Sequence, residues 1–143
     1  MRIAFIGFGE VASVFSAALA ARGAEICAYD VLLEQPGGAE QLKRRAAATP
    51  VSLGKLSETL RGAQYIFSTV TTSVAHEAAE QCARHLRAGQ IYLDLNATSP
   101  ERKKRIGEVI APSGAAFVEG AILGAVGVTG ARTEILLGGP QAW

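Results

Sequence analysis

The chain has 143 residues, 49% of them hydrophobic and 19% charged, with a net charge of +1 and a mean hydropathy of +0.22. One domain of that size buries roughly 68–70% of the surface its unfolded form exposes, and so apolar a composition excludes a disordered segment. A near-neutral balance offers nucleic acid or an anionic membrane little to attract, and no apolar run reaches the ~20 residues of a membrane span.

In chain order, Ile3–Ile6 is a short strand-like apolar run closed by Gly7-Phe8-Gly9. From Glu10 to Arg22 the spacing turns helical, with Val11, Phe15, Ala18 and Leu19 on one face and Gly23 as the stop. The same stretch superficially resembles a signal peptide, but Gly7, Gly9 and Glu10 interrupt its apolar core, which suits strand, turn and helix better. Ala24–Tyr29 reads as a second strand ending at Asp30, Leu32–Gly38 as a loop and Ala39–Ala48 as a charged helix. A brief strand at Pro50–Leu53 and a helical turn at Lys55–Arg61 follow. Gln64–Val70 is a strand, Ser73–Leu86 a helix ended by Arg87 and Gly89, and Ile91–Leu95 a strand. Ser99 as N-cap and Pro100 at the first helical position open a basic helix to Ile110. Ala115–Val118 and Glu134–Leu137 are the last strands, separated by a glycine-rich stretch. Strands alternating with helices predict an α/β fold: one domain over residues 1–143, doubly wound, with a mostly parallel sheet and helices on both faces. This is the Rossmann architecture.

Chemistry concentrates in Gly7-Phe8-Gly9-Glu10-Val11-Ala12, the pattern G-x-G-x-x-A. Gly7 permits a tight turn out of the strand, Gly9 leaves room for a pyrophosphate, and Ala12 lets the helix pack closely on the sheet. The helix start near Glu10 aims unsatisfied backbone N–H groups, at the positive end of its dipole, toward the phosphates. Such a motif is weak alone, but Asp30 follows Gly9 by 21 residues at the end of the second strand. The fingerprint expects an acid about 20 residues on, hydrogen-bonded to the adenosine ribose. Its carboxylate would repel a 2′-phosphate, and Val31-Leu32 bring no arginine, so NAD is expected over NADP. A methyltransferase fits less well, because Ala4-Phe5-Ile6 stands where an acid usually precedes the glycines.

Other reactive side chains are set aside. Cys27 and Cys82 lack metal-ligand spacing and sit in apolar surroundings, as core thiols of a reducing cytoplasm do; no metal site is expected. His76 and His85 have no nucleophile or ligand partner nearby, and Lys55 has no partner. Arg102-Lys103-Lys104-Arg105 reads as a solvated helix face.

Taken whole, the chain resembles the N-terminal domain of the 6-phosphogluconate and 3-hydroxyisobutyrate dehydrogenase superfamily, and within it bacterial phosphogluconate-dehydrogenase-like NAD-binding proteins. The residues that carry the resemblance are Ile3–Glu10, Tyr65–Val70, Asp94–Pro100, Phe117–Ala121 and Ile135–Gly139. The resemblance implies that Val70, Thr71 and Thr72 border the cofactor's ribose and nicotinamide, with Asn96 near the nicotinamide. As turn or cap residues these positions have a plain structural alternative.

Two departures stand out. A serine-glycine-glycine segment that helps bind the substrate carboxylate in the family is replaced by Leu123-Gly124-Ala125, and Leu123 has no hydroxyl to donate. The family's acid/base lysine lies in a later helical domain, whereas the chain ends at Trp143, so no catalytic residue is expected here and a longer enzyme is. Family members usually dimerise through that later domain, which leaves a homodimer open. The expectation is the cofactor domain of a dehydrogenase that exchanges hydride with a small hydroxy acid. The alternatives are a non-catalytic NAD-sensing module or the cofactor domain of an imine reductase.

Overall fold

A computed structural model describes residues 1–142; Trp143, the last residue of the expected domain, lies outside them. Seven strands form one sheet: β1 (Arg2–Ile6), β2 (Glu25–Tyr29), β3 (Val51–Leu53), β4 (Tyr65–Ser68), β5 (Ile91–Asp94), β6 (Ala116–Leu123) and β7 (Glu134–Gly138). Six helices connect them: α1 (Glu10–Ala20), α2 (Gly38–Ala46), α3 (Leu56–Leu60), α4 (Ala75–Ala83), α5 (Pro100–Ile110) and α6 (Val126–Thr129). The strand order is β3-β2-β1-β4-β5-β6-β7, parallel except for antiparallel β7. The doubly wound, mostly parallel sheet is therefore as the alternation requires.

Alternation along the strands divides the core. Ala4, Ile6, Cys27, Tyr29 and Ile66 point to the face covered by α3, α4 and α5, where Leu60, Ala79, Cys82, Ile106 and Ile110 meet them. Ile3, Phe5, Ile26 and Ala28 point to the other face, against Ala12 and Phe15 of α1, Leu42 and Ala46 of α2, and Val126 of α6. Because both faces of the central strands are buried, those strands carry runs of consecutive apolar residues, not apolar residues at alternate positions.

Several boundaries differ from the sequence expectation. Within Ser73–Leu86, a 3-10 turn at Thr72–Val74 precedes α4, which ends at Ala83. There the Cys82 carbonyl accepts both the His85 and Leu86 amides, at 2.8 and 3.0 Å, and the chain turns away. The stretch expected as Ala115–Val118 runs on to Leu123, because β6 pairs with β5 through its first half and with β7 through its second. The glycine-rich stretch before β7 contains α6.

The largest correction concerns the basic helix. Arg102, Lys104 and Arg105 are exposed, but Lys103 is 7% exposed and faces inward beside Ile106 and Ile110. Spacing of three and four residues places those three on one side of a helix, and that side is the packed one. Ser99 caps α5 as expected, accepting from the Arg102 amide at 3.4 Å. Both cysteines are buried free thiols. Among the described residues no helix is long and apolar enough to cross a membrane, and no group of three His, Cys, Asp or Glu side chains converges on a metal position.

Candidate functional site

The chain leaves β1, builds outward to β2 and β3, then returns to lay β4 on the other side of β1. Such a reversal opens a crevice at the carboxyl ends of the strands, where open α/β sheets take ligands. Its floor is the turn after β1. The Gly7 amide donates to the Tyr29 carbonyl at 2.8 Å, and the Thr69 amide donates to the Ile6 carbonyl at 2.9 Å, so β2 and β4 fix the turn from both sides. Thr69 Oγ1 also donates to the Gly7 carbonyl at 2.9 Å.

The two glycines do different work. Gly7 has φ +82°, and a Cβ there would lie 2.7 Å from the Thr69 carbonyl oxygen, so both conformation and space demand glycine. Gly9 has ordinary extended backbone, and a Cβ built on it meets no atom within 4 Å. Protein packing does not require a glycine at position 9; an occupant above it would. Gly9 is also the N-cap of α1 and offers no side-chain cap, leaving the first-turn N–H groups without that partner. Ala12 is fully buried in the contact of α1 with the sheet, and Phe8 is fully buried too, so each shapes the turn through backbone and packing.

Two clefts flank this turn and share Thr69 and Val70. The first, about 380 Å³, is lined among others by Gly7, Gly9, Asp30, Arg45, Val70 and Thr71. Asp30 Oδ2 accepts from the Phe8 amide at 2.8 Å and Oδ1 from the Leu32 amide at 2.9 Å. A carboxylate accepts about four hydrogen bonds, so both oxygens keep capacity for ribose hydroxyls. Tyr29 and Cys82 close the back of this cleft. Burial first, then the bond from its hydroxyl to Glu34, pushes Tyr29 up to about 12; burial alone pushes the Cys82 thiol up to about 12. Both stay protonated and inert at neutral pH.

The second cleft, about 400 Å³, lies on the β4–β5–β6 side and is lined among others by Glu10, Val11, Asn96, Gly124 and Ala125. Glu10 leans against Gly127 of α6, where an added Cβ would collide with its carboxylate. Asn96 is 4% exposed; its amide nitrogen donates to Ser68 Oγ at 3.0 Å and to Asp94 Oδ1, and its Oδ1 has no partner. Thr72 is not gathered with the others. Its hydroxyl donates to the Ala97 carbonyl at 3.2 Å and faces a separate hollow with His76 and Arg102. His76 pairs at the surface with Glu80 at 3.8 Å.

Sequence reading missed two cations. Arg45 of α2 reaches across 37 residues to donate to the Phe8 carbonyl at 2.7 Å, setting a guanidinium in the cleft that holds Asp30. Only the tertiary fold brings it there; Val31-Leu32 gave no hint. Lys103 could have been found from its inward spacing with Ile106 and Ile110. Its ammonium donates to the Asp94 carbonyl at 2.7 Å and the Gly120 carbonyl at 3.1 Å, and pairs with Asp94 Oδ2 at 2.9 Å.

Comparison with known proteins agrees with this geometry. Residues 2–143 match the family model described as the NAD binding domain of 6-phosphogluconate dehydrogenase. A conserved hypothetical protein of Sinorhizobium meliloti 1021 is 31% identical at a TM-score of 0.90, over 96% of this chain and 46% of that one. Mycobacterium tuberculosis 3-hydroxyisobutyrate dehydrogenase shares the fold at 19% identity and a TM-score of 0.84, over 99% of this chain and 47% of its own. An imine reductase of Streptomyces aurantiacus does so at 19% identity and a TM-score of 0.78, over 99% of this chain and 48% of its own. The chain thus spans about half the length of each of these proteins.

Proposed function

We propose, from the premise that this chain belongs to the family of 6-phosphogluconate dehydrogenase NAD-binding domains, that it holds NAD across both clefts for hydride exchange with a small substrate. The observation that carries the reading is the open space above Gly9, beside an uncapped helix N-terminus and 21 residues before an acid on the neighbouring strand. A diphosphate fits there on the amides of Gly9, Glu10 and Val11. Asp30 receives the adenosine ribose in the first cleft, with Val70 and Thr71 along the wall. Asn96 meets the nicotinamide in the second.

NAD is proposed over NADP. The Asp30 carboxylate opposes a 2′-phosphate, while Arg45, the nearby cation, is tied to the Phe8 carbonyl. When bound, the nicotinamide supplies the hydride chemistry; the residues of this chain bind, orient and enclose it. The family's proton-transferring lysine belongs to a second, helical domain, so the substrate and the dimer contacts are assigned to the whole protein.

The second cleft also favours a particular alternative to a hydroxy acid. Gly124 and Ala125 of the lining bring no hydroxyl, Leu123 before them has none either, and Glu10 contributes a carboxylate to the lining. Such a wall repels a substrate carboxylate and suits a cationic or neutral C=N group, the kind of bond an imine reductase reduces. Monitoring NADH absorbance, in the gene product that carries this domain, against 3-hydroxy acids and against cyclic imines separates the two. Oxidation of NADH by imines alone would transfer the assignment to imine reduction.

A further inference from the structure

The Asn96 side chain is held by a buried network that extends to a lysine 7 residues further on. Both amide hydrogens are committed, one to Ser68 Oγ at 3.0 Å and one to the Asp94 carboxylate. Asp94 Oδ2 is ion-paired with Lys103 at 2.9 Å, and the ammonium donates to the Asp94 carbonyl and the Gly120 carbonyl. Ser68 and Asp94 are fully buried, Asn96 is 4% and Lys103 7% exposed. An ionised carboxylate can only accept, so the amide cannot flip without setting its oxygen against Asp94. What remains is Asn96 Oδ1, buried and unpartnered, on a residue that lines the second cleft.

We propose that Lys103 is a positioning residue: through Asp94 it fixes the Asn96 amide so that the nicotinamide end of the crevice presents a hydrogen-bond acceptor and selects a ligand with an N–H donor there. The inference rests on the NAD reading above. The carboxamide of nicotinamide supplies such a donor. A buried acceptor left unpaired costs about 1–3 kcal/mol, which is roughly five- to 150-fold in affinity. Lysine suits the position because its three donors point in three directions, tying β5 to β6 while it neutralises Asp94.

The test compares three ligands on the chain: NAD+, its 3-acetylpyridine analogue, which lacks the carboxamide N–H, and ADP-ribose, which lacks the nicotinamide. Wild type should bind NAD+ roughly tenfold more tightly than the analogue. In Lys103→Met that preference should collapse to about twofold or less, with ADP-ribose affinity unchanged, and Lys103→Arg should restore part of it. Should Lys103→Met not fold, the pair Asp94→Leu with Lys103→Met removes both charges together and carries the same comparison. A wild-type preference that survives in a folded variant overturns the positioning role. Failure of wild type to bind ADP-ribose overturns the NAD reading itself, and this inference with it.

Discussion

The Phe8 amide donates to Asp30 Oδ2 at 2.8 Å, so the acid that ends the second strand is also the brace of the glycine turn that ends the first. The two halves of the dinucleotide fingerprint are therefore one hydrogen-bonded unit. The position of the Asp30 carboxylate is set by the same backbone that would carry the phosphates.

Asp30→Ala is expected to lose on both counts. It strips the Phe8 and Leu32 amides of their acceptor, costing about 1–3 kcal/mol in urea denaturation. NADH affinity, read by fluorescence titration, should fall at least roughly tenfold, because a ribose contact and the shape of the turn go together.

The glycines should separate folding from binding. Gly7→Ala forces a side chain into φ +82° and against the Thr69 carbonyl, and is expected to destabilise by about 1–3 kcal/mol. Gly9→Val meets open space and should keep the wild-type melting temperature while abolishing detectable NADH binding. A Gly9→Val protein that binds NADH normally would remove the phosphate assignment.

Neighbouring lysines on α5 should behave oppositely. Lys103→Met leaves the Asp94 carboxylate buried without its cation and should cost about 3–5 kcal/mol. Lys104→Met changes an exposed side chain and should stay within about 0.5 kcal/mol. Parallel urea melts decide it.

Most of the fold was legible because each central strand carries a run of consecutive apolar residues and the connections between parallel strands are long enough for a crossover. The turn at Gly7 and Gly9 and the place of Asp30 just past β2 were readable because they follow from local spacing. Lys103 was misread because four consecutive basic residues look like a solvated face, and charge masked the inward stripe it shares with Ile106 and Ile110. Arg45 was invisible for a different reason: it reaches the turn through α2 packing, which no spacing rule encodes. Spacing did not show that the adjacent Thr71 and Thr72 would face different hollows, which follows from the 3-10 turn that begins at Thr72. Thr71 lines the first cleft, and Thr72 bonds to Ala97.

Alkaline pH gives an independent check on the core. Burial pushes the Cys82 thiol up to about 12, whereas an unfolded cysteine titrates near ~8.5. The neutral thiol's contribution is thus complete below the unfolded value and is lost as pH rises toward the folded one. The urea midpoint should fall between about pH 8 and pH 10.5, and by less in Cys82→Ala, which has no proton to lose.

The central claim is that a diphosphate rests on the backbone between β1 and α1. Titration of NADH into isotopically labelled protein, followed by the amide resonances, tests it most directly. The account predicts the largest shifts at Gly9, Glu10 and Val11, with a second set at Asp30 and a third at Asn96. Saturable binding that leaves those amides unmoved and shifts another surface would contradict it.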